Sequence, residues 1–216
     1  MMRNKVPKPW MLFTLILLLI QCLPQSAFSC FAETTDPVKI EPRYWVDWGT
    51  DYMDRMQEMC LIGNIEEGME AEHKRNVKIE TLGLRDEKIS FMDLYLLSKI
   101  IMLEAGADWL PLSWKLAVGE VLLNRVNSPE FPDTIEDCIY APGQYSSVGN
   151  SAFEELLPNY DSVIAAKRLL NGERVLNDRS VVFQANVVQG LVFLILHDDL
   201  LGDTYFCKSS HLEYYP

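Results

Sequence analysis

The chain has 216 residues, of which 49% are apolar and 23% are charged, and its formal net charge is −12 at pH 7. This composition is typical of a globular domain and excludes both a largely disordered chain and a bundle of membrane helices. The acidic balance argues against binding to nucleic acid or to anionic membrane surfaces, because both carry negative charge. Binding to an anionic polymer would therefore depend on a shaped groove.

Residues 1–32 have the order of a secretory signal peptide. A basic start precedes an apolar run from Trp10 to Leu23, and small residues follow at Ser26 and Ala27. The run is short for a membrane span, and Pro24 ends it. We therefore expect export, cleavage, and a secreted or cell-envelope location. A retained single-span anchor is the alternative.

Residues 33–88 are expected to form a linker or accessory helical segment before a main domain at 89–216. The stretch Asp51–Lys74 is rich in Met, Glu and Gln, and its methionines lie in roughly helical rows. Gly63 and Gly68 weaken that helical prediction. An accessory helix, a partner surface and a spacer are all compatible with it, and we favour the spacer.

The stretch from Ser90 to Gly106 predicts a buried helix that ends near a carboxylate. Ser90 is a suitable N-cap, and the run after it is apolar almost throughout. Glu104 shares a face with Leu97 and Ile101 in the last turn, where the helix dipole disfavours negative charge. Burial and the dipole should both raise its pKa above the usual value of about 4.3. Such a carboxyl group can protonate a glycosidic oxygen, although the pattern alone also fits a helix-end Glu that faces water.

The rest of the chain predicts further helices followed by strands. The helices are expected at residues 114–126, 134–140 and 160–170, and the strands at 181–184, 191–196 and 204–207. Helices first and a small antiparallel sheet last indicate an α+β domain of about 120 residues, which is enough for one core.

Several motifs follow one another in a specific order. The first helix ends in Glu-Ala-Gly at 104–106, and the next closes with Leu-Asn-Arg-Val at 123–126. Ser-Pro-Glu-Phe-Pro-Asp-Thr-Ile at 128–135 and Pro-Gly-Gln-Tyr-Ser at 142–146 come after them. Over roughly Asp93 to Cys207, this order resembles the cell wall hydrolase family of spore cortex-lytic enzymes, the SleB and CwlJ type.

The resemblance implies a lysozyme-like, mainly helical α+β domain with a small C-terminal antiparallel sheet. It implies cleavage of peptidoglycan glycan strands, in cell wall lysis or in lysis of the spore cortex during germination. The family's essential acid corresponds to Glu104. The chain departs from the family at Ala107, Asp108 and Glu120, so the choice between vegetative wall and spore cortex does not follow from the resemblance.

Two reactions are compatible with this acid. A muramidase-type hydrolase needs a second carboxylate at about 5–5.5 Å or 6.5–9.5 Å, for which Asp108 and Glu120 are the candidates. A lytic transglycosylase needs only one, because the same group protonates the leaving oxygen and then deprotonates the substrate's own 6-hydroxyl. One well-placed Glu104 without an evident partner favours the transglycosylase. The hydrolase and a non-catalytic wall-binding member of the same fold are the alternatives.

The candidate substrate-binding residues are polar or aromatic side chains expected near a sugar groove. They are Gln144, Tyr145, Ser146, Thr134, Asn124 and Gln184. The first three lie on a turn-rich loop and offer an amide for N-acetyl groups and a ring for a pyranose face. The other three have structural alternatives. Thr134 can cap a helix, and Gln184 can satisfy backbone groups. Asn124, like Arg125, can bond to neighbouring loops.

The expected partners are peptidoglycan glycan strands, without nucleic acid, and a membrane only through an uncleaved signal segment. No cofactor is expected, and the histidines show no metal-ligand spacing. The cysteines form no recognisable framework, so a Cys138–Cys207 bridge and free buried thiols both stay open. A Cys/His wall peptidase that uses one of these thiols with His197 is the rival enzyme, but neither thiol has an evident feature that would lower its pKa.

Overall fold

A computed structural model describes residues 50–82, 89–145 and 148–215. The predicted signal peptide and Ser146 lie outside the described residues. The described elements are α1 Thr50–Ile62, α2 Ile65–Leu82, α3 Phe91–Ala105, α4 Leu112–Val126, α5 Ile135–Tyr140, α6 Ser151–Glu155, α7 Tyr160–Leu170, β1 Val181–Ala185, β2 Leu191–Asp198, β3 Gly202–Lys208 and a 3-10 helix at Leu212–Tyr214. Among them, no helix is long and apolar enough to cross a membrane.

Helix α3 is the centre of the hydrophobic core. Its N-cap Ser90 accepts a hydrogen bond from the backbone of the first turn, and Leu97 and Ile101 are buried, as predicted. Helices α4 and α7 pack against it. A Cβ at Gly119 of α4 would lie only 2.5 Å from Leu169 and 2.8 Å from Ile101. Glycine at 119 therefore lets the three helices approach closely, and a larger residue would displace the side chains of Leu169 and Ile101.

Helices α1 and α2 belong to the same core. Met56 and Met59 are buried in it, and a Cβ at Gly68 would overlap the ring of Phe91. Glu72 also accepts a hydrogen bond from the backbone N–H of Phe91 at 2.8 Å. The structure therefore corrects the spacer interpretation and the domain boundary at residue 89. Flexible methionines fill irregular gaps and give a weaker sequence pattern than leucines do.

The three strands form an antiparallel sheet in the order β1-β3-β2. Gln184 of β1 lies opposite Phe206 of β3, and Ile195 of β2 lies opposite Tyr205. Each strand extends the predicted one by one to three residues. The predicted α+β class, mainly helical with a small C-terminal antiparallel sheet, is confirmed.

Candidate active site

A groove of about 460 Å³ lies between the end of α3, helix α4, the loop after α5 and the sheet. Its polar and aromatic lining includes Glu104, Trp114, Arg125, Gln144, Tyr145, Gln184, Asn186, Gln189 and Thr204. Glu104 is the only carboxylate among the described residues that line this groove.

Glu104 points into the groove from the last turn of α3. Its Oε2 accepts a long hydrogen bond, 3.4 Å, from Nε2 of Gln184. Glu104 is an exposed residue, because the groove opens its carboxylate to solvent, although protein atoms surround its other sides. This partial burial raises the pKa of Glu104, and the nearby cation of Arg125 opposes the rise. The direction agrees with the sequence prediction.

The carbonyl end of α3 is hydrogen-bonded to side chains. Buried Lys115 donates from Nζ to the carbonyls of Ala105 and Ala107, at 2.6 and 3.0 Å. Asn159 donates from Nδ2 to the carbonyl of Gly106 at 3.1 Å. Only the carbonyl of Ala105 belongs to α3, so Lys115 offsets part of the negative end of the helix dipole. Burial is the main cause of the raised pKa of Glu104.

The position of Gly106, two residues after Glu104, has no room for a side chain. Its φ of −73° is open to any residue, so conformational freedom does not explain glycine here. A Cβ at this position would overlap the carbonyl oxygen of Met102 and lie 2.8 Å from its Sδ. The Glu-Ala-Gly sequence therefore lets the chain leave the helix tightly beside the groove.

Arg125 connects α4 to the sheet and to the aromatic side of the groove. Its Nε donates to the carbonyl of Val182 at 2.6 Å. The guanidinium carbon lies 5.5 Å from the ring centroid of Phe131 and 5.3 Å from that of Tyr145. Only 4% of the residue is exposed, and its Nη1 has no hydrogen-bond partner. Sequence reasoning favoured a structural role for Arg125 and did not include it among the binding residues, although a charged residue that closes an apolar helix is a usable signal.

Three of the predicted binding residues meet Glu104 in the groove, namely Gln144, Tyr145 and Gln184. Burial raises the pKa of Tyr145 to about 12, so its hydroxyl keeps its proton at neutral pH and can donate a hydrogen bond. Gln184 presents a buried Oε1 with no hydrogen-bond partner.

Thr134 and Asn124 do not line this groove. Thr134 caps α5, since its Oγ1 accepts from the backbone N–H of Asp137 at 3.0 Å. Asn124 donates from Nδ2 to the carbonyls of Asp178 and Val181, both at 3.0 Å. The structure therefore supports the structural alternative for both residues. Asn124 and Arg125 together hold the strand that carries Gln184.

Neither candidate for a second carboxylate lines the groove. Glu120 is 1% exposed and accepts the backbone N–H groups of residues 175–177 at 2.6, 2.8 and 3.0 Å. Asp108 lies at the surface and accepts from Nδ2 of Asn159 at 3.2 Å. The suggestion that Glu120 faces solvent is corrected by its burial.

The arrangement does not support thiol chemistry. Cys60, Cys138 and Cys207 are free and buried, so the Cys138–Cys207 bridge is not formed. Burial raises the pKa of Cys138 to about 11, which disfavours a nucleophilic thiolate. His197 contacts Asp203 at 2.7 Å instead of a thiol. The described residues contain no cluster of three or more potential metal ligands.

Part of the chain matches a known protein family. Residues 111–191 match the family model described as cell wall hydrolase. The resemblance to the cell wall hydrolase family is confirmed. Because the matched range begins after Glu104, the assignment of the acid rests on the groove geometry and on the local sequence motif.

One solved structure is also similar to the chain. It is the crystal structure of the catalytic domain of the Bacillus cereus SleB protein, with 23% sequence identity and a TM-score of 0.43, covering 57% of this chain and 94% of that chain. Likeness at this level does not establish a shared mechanism. Comparison with curated proteins gives no match.

Proposed function

We propose that this cell wall hydrolase cleaves peptidoglycan glycan strands as a lytic transglycosylase with Glu104 as its single acid and base. The observation that supports this proposal is the lone carboxylate in the described groove lining. Both other candidate carboxylates bind groups outside the groove, Glu120 through three backbone N–H groups and Asp108 through Asn159.

The reaction needs two proton transfers at one group. Protonated Glu104 gives its proton to the glycosidic oxygen as the bond from that oxygen to C1 breaks. The resulting carboxylate then takes the proton of the muramoyl 6-hydroxyl while that oxygen bonds to C1 and closes a 1,6-anhydro ring. The acid is thereby regenerated and no water is consumed.

The groove electrostatics suit both steps. Partial burial raises the pKa of Glu104 and favours the acid before the first transfer. The cation of Arg125 stabilises the carboxylate formed between the transfers. A water-using hydrolase would need a second base near C1, and the described lining offers no carboxylate for it.

Product analysis tests the reaction type. We would incubate the purified protein with peptidoglycan in ¹⁸O-labelled water and identify the sugar ends by mass spectrometry. The transglycosylase should give 1,6-anhydro ends, one water lighter than reducing ends, without the label. Labelled reducing ends would show a muramidase-type hydrolase, and the absence of cleavage products would show a non-catalytic wall-binding protein.

We also propose that the protein acts outside the cytoplasm, in the cell envelope or as a secreted enzyme. This proposal is supported by residues 1–32, in which a basic start is followed by an apolar run, as in a secretory signal peptide. Intact-mass measurement of the exported protein should give an N-terminus between residues 28 and 33. Membrane-bound protein that keeps Met1 or Met2 would contradict this proposal.

A further inference from the structure

Exposed apolar side chains are concentrated along one edge of the sheet. Nineteen large hydrophobic residues in the described part of the chain are exposed, and eight of them lie within residues 187–201, the stretch that contains β2. These eight are Val187, Val188, Leu191, Val192, Phe193, Ile195, Leu200 and Leu201, with exposed fractions of 40 to 79%. A soluble monomer rarely exposes this many apolar side chains in one short stretch, so this surface, here called the β2 edge, is a candidate for an interface.

The β2 edge also has unpaired backbone groups. β2 pairs with β3 on one side, and on its other side no strand among the described residues pairs with it. A register shift between Val192 and Leu194 disturbs the ladder with β3, which is regular from Leu194 to Asp198. Charged side chains and proline are the usual protection of an edge strand, and residues 191–196 contain neither. The backbone of β2 can therefore pair with a further strand.

Charge favours a second copy of this chain as that strand. The net charge of −12 makes two copies repel each other over most of their surface, but residues 186–196 carry no charge. Asp198 and Asp199 follow this stretch at one end, whereas Lys208 of β3 lies opposite Leu191 at the other end. An antiparallel arrangement of two β2 strands therefore brings the acidic end of each copy to the lysine end of the other.

Lys208 is held at this edge by its own contacts. Its Nζ lies 5.1 Å from the ring centroid of Phe193 and 2.6 Å from Oδ2 of Asp178. The pair of Lys208 and Asp178 is neutral as a whole, so Asp199 of another copy meets no excess of negative charge there. A parallel arrangement would instead place Asp198 and Asp199 of the two copies side by side, which costs free energy.

The exposed area is also of the size that a dimer needs. A standard interface buries about 800 Å² on each partner. Eight large apolar side chains with these exposed fractions supply several hundred Å² of it, and the strand backbone and the flanking polar side chains supply the rest. A two-fold axis closes after two copies, so both edges are then paired and no filament forms.

We propose that the protein forms a two-fold dimer in which the β2 edges of two copies pair antiparallel. The two sheets then continue as one six-stranded sheet in the order β1-β3-β2-β2-β3-β1. This inference goes beyond the proposed reaction and does not rest on it, because it depends only on the apolar edge and on the charges at its ends.

Sedimentation velocity of the purified protein tests the dimer. As the concentration rises across the micromolar range, the protein should reach twice the mass of one chain and no more. A monomer at every concentration, or growth into larger assemblies without a limiting dimer, would overturn the proposal.

Ile195→Lys tests whether the β2 edge forms the interface. The substitution adds a charge in the middle of the strand at a residue that is 49% exposed, so circular dichroism should show an unchanged fold. The dissociation constant of the dimer should rise at least about tenfold. The matched control is Val77→Lys, at a residue of α2 that is 48% exposed, and it should keep the dissociation constant. A dimer that Ile195→Lys leaves unchanged would place the interface elsewhere and overturn the proposal.

Asp199→Lys tests the antiparallel direction at a turn residue, and it decides the outcome if Ile195→Lys does not fold. The new lysine approaches Lys208 of the other copy, so the dimer should weaken at low salt and less so at high salt. Glu66→Lys, at an exposed residue of α2, is the control because it changes the net charge by the same amount. A dimer of Asp199→Lys that is as strong as that of Glu66→Lys, or stronger, would overturn the antiparallel pairing.

Amide hydrogen exchange identifies what covers the edge. The backbone N–H groups of residues 192–198 should become more protected as the protein concentration rises through the dissociation constant, and Ile195→Lys should abolish this change. Strong protection of the same groups in a monomer would mean that another segment of the chain covers β2, and it would overturn the proposal.

Discussion

Two glutamates on adjacent core helices, Glu104 of α3 and Glu120 of α4, differ in what their oxygens contact. Glu120 accepts three short hydrogen bonds from the backbone of residues 175–177 and is closed to solvent. Glu104 has one long contact, from Gln184, and faces an open groove.

The difference shows that burial alone does not identify a reactive carboxylate. Three backbone donors hold the side chain of Glu120 in place and join α4 to the segment before β1, so this side chain is a structural link. Glu104 keeps lone pairs free toward a space that a ligand can enter. Access to solvent combined with few hydrogen bonds therefore distinguishes Glu104, the proposed acid, from the buried Glu120.

The same substitution at the two positions should have opposite consequences, and the largest effect is expected at Glu104. Glu104→Gln keeps the shape but cannot give up a proton, and general acid catalysis contributes about 10²- to 10⁴-fold to the rate. Release of peptidoglycan fragments should fall by at least that factor, while the thermal midpoint stays at or above that of the unmodified protein because a partly buried carboxyl becomes neutral. Full activity in this variant would refute the assignment of the acid.

Glu120→Gln should lower stability instead. The new amide group places hydrogen atoms against backbone N–H groups of residues 175–177, which lose part of their acceptor. We expect a loss of roughly 2–4 kcal/mol in the free energy of unfolding, measured by urea denaturation. Activity per folded molecule should be kept. A loss of activity without a loss of stability, together with reducing-end products, would instead favour a hydrolase that uses Glu120.

The sequence predicted the parts of the fold that depend on local patterns. The N-cap at Ser90, the apolar face of Leu97 and Ile101 and the alternation of the C-terminal strands are all contained in short stretches, and all are present. The placement of Glu104 at a helix end beside an apolar face followed from the same local information. Gln144 and Gln184 line the groove with Glu104, and their binding to substrate stays a prediction.

The sequence could not predict contacts that join distant residues. The partners of Glu120 lie 55 to 57 residues further along the chain. Lys115 reaches the end of the preceding helix, and nothing in its local pattern marks it as buried. Met56 and Met59 pack against a helix that starts some thirty residues later, so a spacer was favoured where the structure has core helices.

A smaller effect is expected at the lysine that caps the acid-bearing helix. Lys115→Met keeps the length of the side chain but leaves the carbonyls of Ala105 and Ala107 without their donor. We expect a loss of about 1–3 kcal/mol in unfolding free energy. The uncompensated dipole should also raise the pKa of Glu104 further. The matched control is Lys74→Met, an exposed lysine paired with Glu70, which should change neither quantity.

The smallest expected effect is the pH dependence of activity and stability that follows from the carboxyl group of Glu104. Burial raises the pKa of Glu104, although access to solvent limits the size of the shift. The acid form must be present for catalysis, so kcat/KM should fall as pH rises through this raised pKa, at a pH above the usual range of a Glu. The sign for stability is the same. A carboxyl whose pKa is higher in the folded than in the unfolded chain favours folding when protonated, and this contribution is lost as pH rises through the folded-state pKa.

Urea denaturation of the unmodified protein and of Glu104→Gln at several pH values checks the stability effect. The two curves of unfolding free energy against pH should diverge from about pH 4 upward, with the unmodified protein losing stability relative to the variant. Parallel curves for the unmodified protein and Glu104→Gln would mean that folding does not raise the pKa of Glu104, which would remove the electrostatic support for its role as the acid.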